Sequence, residues 1–437
     1  MQDSSHQLKR CNALLLILAA AYLVWLLVVL LFFHYTPTND GVGYLEYARQ
    51  CLAEGAPYPT PTIFREAPFI WNIGFINLVE LSLWLTDSIY PLLVVLCLLK
   101  ALTALLTAHT ALRLVGGKAA VAVMLLFVLY PNNWGQSTML SSEIPSTCLA
   151  VVATYLVVSR QSARWLVVSG VLLAFANWIR PTAAIFLGSV IVFLLLFRRQ
   201  RWLLSITSLL GGYIVTILMI GSMCYMRTGH FLYQARNYWF SMVDECYDGA
   251  AVAPHWGQPV WPEGTPRYIE NHEQMDCFEY ERIWRERSLE WLKDHKTDYL
   301  KKIPGRLFYM YQSDYDAMPA FLADKTRSEQ NYITLPYRSL LAEAASLSVA
   351  QWLSLVCWIF YLLLLVLALA GTVKLLRRRQ YESLFLPLFI VVGGSLALVL
   401  VMHGETRFKD PLMPFLFILA GCFFAYPPKH PRRLCKR

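Results

Sequence analysis

The stretch Ala13–Phe33, ALLLILAAAYLVWLLVVLLFF, runs without a charge and is followed by polar sequence containing Asn39-Asp40-Gly41. As a helix rising about 1.5 Å per residue it covers roughly 30 Å, the thickness of a bilayer's hydrocarbon core. It reads as a membrane-crossing helix, with Asp40 where the chain leaves the bilayer. It is longer than the apolar part of a secretory signal and no small-residue cleavage site follows, so it is read as a retained first span.

The pattern recurs along the 437 residues, of which 57% are hydrophobic and 15% charged. That balance excludes an ordinary soluble fold. Spans are expected at 13–33, 92–113, 119–138, 143–159, 163–180, 182–197, 202–224, 351–373, 383–402 and 411–426. The predicted fold is an all-α polytopic bundle of about ten transmembrane helices. The net charge of +9 resides in short basic clusters between apolar runs, where it orients spans rather than forming a nucleic-acid groove.

A further apolar stretch, 69–85, contains Asn72, Asn77 and Glu80. Counting it as a span reverses everything after it and puts the Arg198, Arg199, Arg201 cluster outside. Omitting it leaves about eighteen Lys/Arg in short inner segments against about five in short outer loops, as the positive-inside tendency requires. It is therefore read as an amphipathic helix on the outer interface. Both termini are then cytoplasmic, in a plasma or bacterial inner membrane; the absence of any Asn-x-Ser/Thr sequon favours a bacterial source. Three parts follow: a membrane module at 1–224 with an outer loop at 34–68, an extracytoplasmic segment at 225–350, and a second membrane module at 351–437. Within the outer segment, 279–300 has helical spacing and 253–266 is Pro/Gly-rich loop. Cys246 and Cys277 share that segment and are candidates for a disulfide.

Charges that interrupt hydrophobic sequence fall at the predicted outer face: Asp40, Arg65, Glu66, Glu143, Arg180, His403, Glu405, Arg407 and Lys409. A charge at the hydrocarbon centre costs about 2.5–3.5 kcal/mol on insertion scales, so charges kept at the edges of different spans point to a shared site. A carboxylate at Asp40 suits a general base for an acceptor hydroxyl, although helix capping accounts for the same pattern. Arg65, Arg180 and Arg407 suit a phosphate, since guanidinium offers several donors and stays charged; snorkelling to headgroups is the alternative for Arg180. Glu143 opens a span at its positive dipole end, where capping again competes. Lys100 lies two turns inside its span and either snorkels or reaches a buried anion. His403 and Glu405 are too few ligands for a metal, and no cofactor is expected. Asp314-Tyr315-Asp316 is the acid pair of many soluble nucleotide-sugar enzymes, but here no nucleotide-binding fold accompanies it.

Taken in order, these segments resemble the GT-C glycosyltransferases, particularly bacterial relatives of protein O-mannosyltransferases and of aminoarabinose transferases. The matching pieces are Asn39-Asp40 with Tyr44, Tyr47 and Ala48; Phe64-Arg65-Glu66-Ala67-Pro68; Ser142-Glu143-Ile144-Pro145; Asn177-Trp178-Ile179-Arg180-Pro181-Thr182-Ala183; and Glu405-Thr406-Arg407-Phe408-Lys409-Asp410-Pro411 with Pro414. The resemblance implies inverting transfer of a sugar from a polyprenyl-phosphate donor to a glycan, lipid or protein acceptor outside the cytoplasm. It casts Asp40 as base, with Glu143 orienting the acceptor or a basic group. Arg65, Arg180, Arg407 and Lys100 would hold the donor phosphate, and Tyr44, Glu66, His403 and Glu405 would contact substrate. Where relatives often pair a second acid with the first-loop Asp, this chain has Gly41. The competing class is a transporter or flippase of lipid-linked glycans, which would place ionisable groups near the bilayer midplane rather than crowding them at one face.

Overall fold

The computed structural model describes residues 2–35, 39–160, 162–197, 201–246, 265–315, 317, 347–402 and 404–425. Among them there is no β-strand, and one isolated bridge joins Ile70 to Arg236. The helices are α1 (Gln2–Phe33), α2 (Asn39–Glu54), α3 (Ile63–Glu66), α4 (Ile73–Thr86), α5 (Tyr90–Leu114), α6 (Gly117–Leu129), α7 (Pro131–Gly135), α8 (Glu143–Ser159), α9 (Ala163–Ile179), α10 (Ala184–Phe197), α11 (Trp202–Thr228), α12 (Tyr238–Cys246), α13 (Cys277–Lys301), α14 (Ile303–Tyr311), α15 (Val349–Arg377), α16 (Tyr381–Val401) and α17 (Met413–Gly421). The all-α expectation is borne out.

Five described helices, α1, α5, α11, α15 and α16, are long and apolar enough to cross a membrane. The remaining expected spans form shorter helices for local reasons. The run at 119–138 stops at Leu129 because Pro131 lacks an N–H and starts a new turn. Pro181 forces Arg180 into extended geometry, so α9 and α10 are separate. The last span is reduced to α17, whose nine residues are all buried, so it forms bundle core instead of a lipid-facing surface. Pro387 lies inside α16, and a π-turn at Phe389–Gly393 follows it.

Helices α9 and α11 cross at close range. A side chain at Gly170 would meet the Leu209 carbonyl, and one at Gly212 would meet that of Val167. In a bilayer, where lipid competes with protein for apolar surface, such small-residue contacts let backbones approach closely. The stretch read as an interfacial helix is α4, whose 14 residues reach only about 21 Å. Its Asn77 exchanges two 2.9 Å hydrogen bonds with the backbone of Tyr58, fixing the first loop against it. The predicted helix at 279–300 is α13, started by an Asp276/Glu279 capping box. Cys246 and Cys277 are free buried thiols, which corrects the disulfide candidate: Cys246 instead points at the Ser288 carbonyl. Most of the loop at 253–266, and His403, lie outside the described residues.

Candidate functional site

Four chain breaks converge on one place. Asp40 sits in the first turn of α2, yet its carboxylate leaves the helix and accepts a 2.5 Å hydrogen bond from Nη1 of Arg407. Arg407 lies in the 3-10 turn Thr406–Leu412, and its Nε is 2.9 Å from Glu405. The turn is pressed against α14 at Gly404, where a Cβ would stand 2.0 Å from the Arg306 carbonyl. Burial alone would weaken the Arg407 charge, but Asp40 and Glu405 more than offset it and raise its pKa.

The second pair joins α8 to the break after α9. Because Arg180 is extended before Pro181, its guanidinium leaves the helix end, where Nη1 lies 3.0 Å from Glu143 and donates 2.9 Å to Ser142. Glu143 also accepts from the Ser141 hydroxyl at 3.0 Å. Ser142 in turn accepts from Asn72, which donates 2.8 Å to Tyr44. Arg180 and Glu143 are each 8% exposed and Tyr44 is 1%. Burial, then the Asp40 charge, push the Tyr44 phenol up, so it remains a neutral hydrogen-bonding group at any physiological pH. Asp40 and Glu143 therefore make ion pairs across the fold, which capping alone does not require.

Asp40, Tyr44, Arg180, Glu405 and Arg407 line a cavity of about 1360 Å³. Its polar end also carries Asn72, Gln234, Asp244, Glu245 and Arg267. Buried polar atoms of cavity-lining residues that accept or donate no hydrogen bond within the described protein include Trp71 Nε1, Thr182 Oγ1 and Arg180 Nε. The other end is apolar. Along α10 it is lined by Ile185, Gly188, Ser189 and Val192, and along α16 by Phe389, Gly393, Ala397 and Val401. Spacings of three and four put each set on one face of its helix.

Three residues expected at the site stand elsewhere. Arg65 and Glu66 are exposed on α3, off the cavity wall, and Glu66 accepts 2.6 Å from Gln50. Lys100 donates to Gln136, which donates 2.8 Å to Asp410, and these residues line a separate small cavity with Glu143 and Asp314. Burial and the neighbouring Asp314 push the Asp410 carboxyl well above the usual range. The wall supplied by α12 and its partners was not singled out in the sequence: Arg267 is paired with Asp244 and lies 3.7 Å over Phe240, and Arg306 is 2.6 Å from Glu245. The signal was weak, since Asp244-Glu245 looks like ordinary polar sequence until Arg267 and Arg306 are brought to it. Of the acid pair at 314–316, Asp314 is buried against Lys409, Tyr130 and Asn132, and Asp316 lies outside the described residues. Among the described residues no group of three or more His, Cys, Asp or Glu could hold a metal.

Residues 75–225 match the dolichyl-phosphate-mannose-protein mannosyltransferase family. The matched stretch holds Lys100, Glu143 and Arg180, while Asp40 and Arg407 flank it. The GT-C resemblance read from the sequence is thereby borne out, and with the five spanning-length helices it makes this a membrane-embedded chain. A crystal structure of ArnT from Cupriavidus metallidurans bound to undecaprenyl phosphate is similar at 14% identity and a TM-score of 0.37, covering 94% of this chain and 78% of that one. No curated protein matches the chain in sequence.

Proposed function

We propose that the protein is an inverting GT-C glycosyltransferase that moves a sugar from a polyprenyl-phosphate donor to an acceptor at the extracytoplasmic face. The observation that carries this reading is the meeting of Asp40 and Arg407, from opposite ends of the chain, beside Arg180 at the polar end of a cavity whose other end is apolar. A donor of this class has the same two-part character, an anionic head and a hydrocarbon tail.

In the reaction, Asp40 takes the proton of an acceptor hydroxyl as its oxygen attacks the anomeric carbon. The bond from that carbon to the phosphate oxygen breaks, and its electron pair leaves with the phosphate. Arg180 and Arg407 then face the charge that develops on the leaving group, where fixed cations act most strongly. Phosphate arrival draws Arg407 from Asp40, so donor binding itself frees the base.

The test is reconstitution with radiolabelled polyprenyl-phosphate hexoses and pentoses. Label leaving the lipid for an acceptor supports the reading; translocation of the donor without transfer replaces it with transport.

The apolar end gives a further expectation. A Cβ built at Gly188 or Gly393 meets no heavy atom within 4 Å, so each position opens onto free space that a larger side chain such as leucine, itself a better helix former, would occupy. A tail leaving the groove for lipid loses little hydrophobic energy, so the effect is steric. Gly188→Leu with Gly393→Leu keeps the melting temperature and raises KM for long-chain donors about tenfold or more, equivalent to ~1.4 kcal/mol. A short-chain donor is spared. Equal KM values for both donors in variant and parent would remove the groove from tail binding.

A further inference from the structure

We propose that the buried Asp314–Lys409 pair is a positioning device for Arg407, through which the protein sets its affinity for the donor phosphate. The inference rests on the reading of Arg407 given above. Lys409 is two residues beyond Arg407 in the same 3-10 turn, yet it is fully buried and does not line the large cavity. Its ammonium donates 2.7 Å to the Thr406 carbonyl, at the start of its own turn, and 2.7 Å to the Ser313 carbonyl, and it lies 3.2 Å from Asp314. The buried ammonium thus has two carbonyl acceptors and one carboxylate partner.

Asp314 carries the attachment further. Its carboxylate accepts from the Tyr130 hydroxyl and from Asn132 at 3.2 Å, and its backbone carbonyl faces the Cys357 thiol at 3.1 Å. The turn that presents Arg407 is therefore tied through one ion pair to the end of α6, to α7 and to α15. On its other side Gly404 is held against Arg306. Arg407 itself is 31% exposed at the side chain, and its carboxylate partners Asp40 and Glu405 can yield to an incoming phosphate. The backbone beneath it has no such freedom, because moving Lys409 would strand two buried charges. A matched apolar pair would fill the same space without desolvating two ions, so folding alone gives no reason for the charges. Fixing the backbone that presents the guanidinium does.

The experiment uses the full-length protein in detergent or vesicles, with polyprenyl phosphate binding and sugar transfer both measured. Lys409→Met and Asp314→Leu are made together, so that neither charge is left alone. The expected result is a melting temperature near the parent's, polyprenyl phosphate affinity weakened roughly tenfold or more, and acceptor KM changed by less than about twofold. In an Arg407→Ala background the paired change adds less than about twofold, because the group it positions is already gone. Multiplying effects in that cycle would overturn the proposal and make the pair a general scaffold contact. If the paired variant does not fold, Tyr130→Phe, which removes one hydroxyl from Asp314, runs the same cycle with a smaller, equally non-multiplying effect. A parent that binds polyprenyl phosphate but transfers nothing overturns the transferase reading alone. A parent that transfers sugar with a multiplying cycle overturns this inference alone.

Discussion

Asp40→Asn lowers sugar transfer by roughly 10²-fold or more, the contribution expected of a positioned base, while the protein folds and inserts as before. Asparagine keeps the size of the side chain and retains an oxygen that can accept the 2.5 Å hydrogen bond now given by Arg407, so the structural cost is small. What is lost is the charge. Arg407 is then held less firmly by residue 40 and is more available to phosphate. The signature is accordingly a fall in kcat with donor KM unchanged or lower, the opposite of a variant that damages the phosphate site. Glu405→Gln serves as the comparison, because Glu405 also meets Arg407, at 2.9 Å, and would be the alternative base. Turnover of Asp40→Asn within about threefold of the parent removes Asp40 from the role, and a larger loss from Glu405→Gln transfers it there.

Much of this site was legible because membrane sequence is a low background. Among uncharged runs such as Ala13–Phe33, a retained Asp40, Glu143, Arg180 or Arg407 stands out, and the prolines beside Arg180 and in Lys409-Asp410-Pro411 mark where helices break to present them. Helix positions were readable for the same reason: 143–159 is reproduced by α8 and 163–180 closely by α9. The readings that did not hold concern which charges meet. Arg65 and Glu66 share a short motif with buried Phe64 and Ala67, but they are themselves exposed and off the cavity wall. Lys100 has the depth of a phosphate ligand and instead spends its ammonium on Gln136. Asp314, set aside in the sequence for want of a nucleotide-binding fold, is 1% exposed and paired to a lysine almost a hundred residues away. Pairing across such separations depends on the register of helix packing, set by contacts like Gly170 on Leu209, which no local pattern reports.

Glu143→Ala destabilises the apo protein by about 3–5 kcal/mol, because it leaves Arg180 as an uncompensated buried charge. The two groups are 3.0 Å apart with side chains about a tenth exposed, and the hydroxyls of Ser141 and Ser142 reinforce the carboxylate but cannot replace its charge. Replacing Arg180 as well recovers part of the loss, giving a coupling of about 0.5–3 kcal/mol in a double-mutant cycle. The more telling measurement adds polyprenyl phosphate. A ligand that binds the folded state raises stability according to its affinity, and an anion seated on Arg180 restores what the mutation removed. The melting temperature of Glu143→Ala therefore rises more on adding polyprenyl phosphate than that of the parent. The excess disappears when Arg180 is also replaced. Equal shifts in parent and Glu143→Ala would mean that the phosphate does not meet Arg180, leaving the Glu143–Arg180 pair as a brace between α8 and the break after α9, and Arg407 as the cation that receives the leaving group.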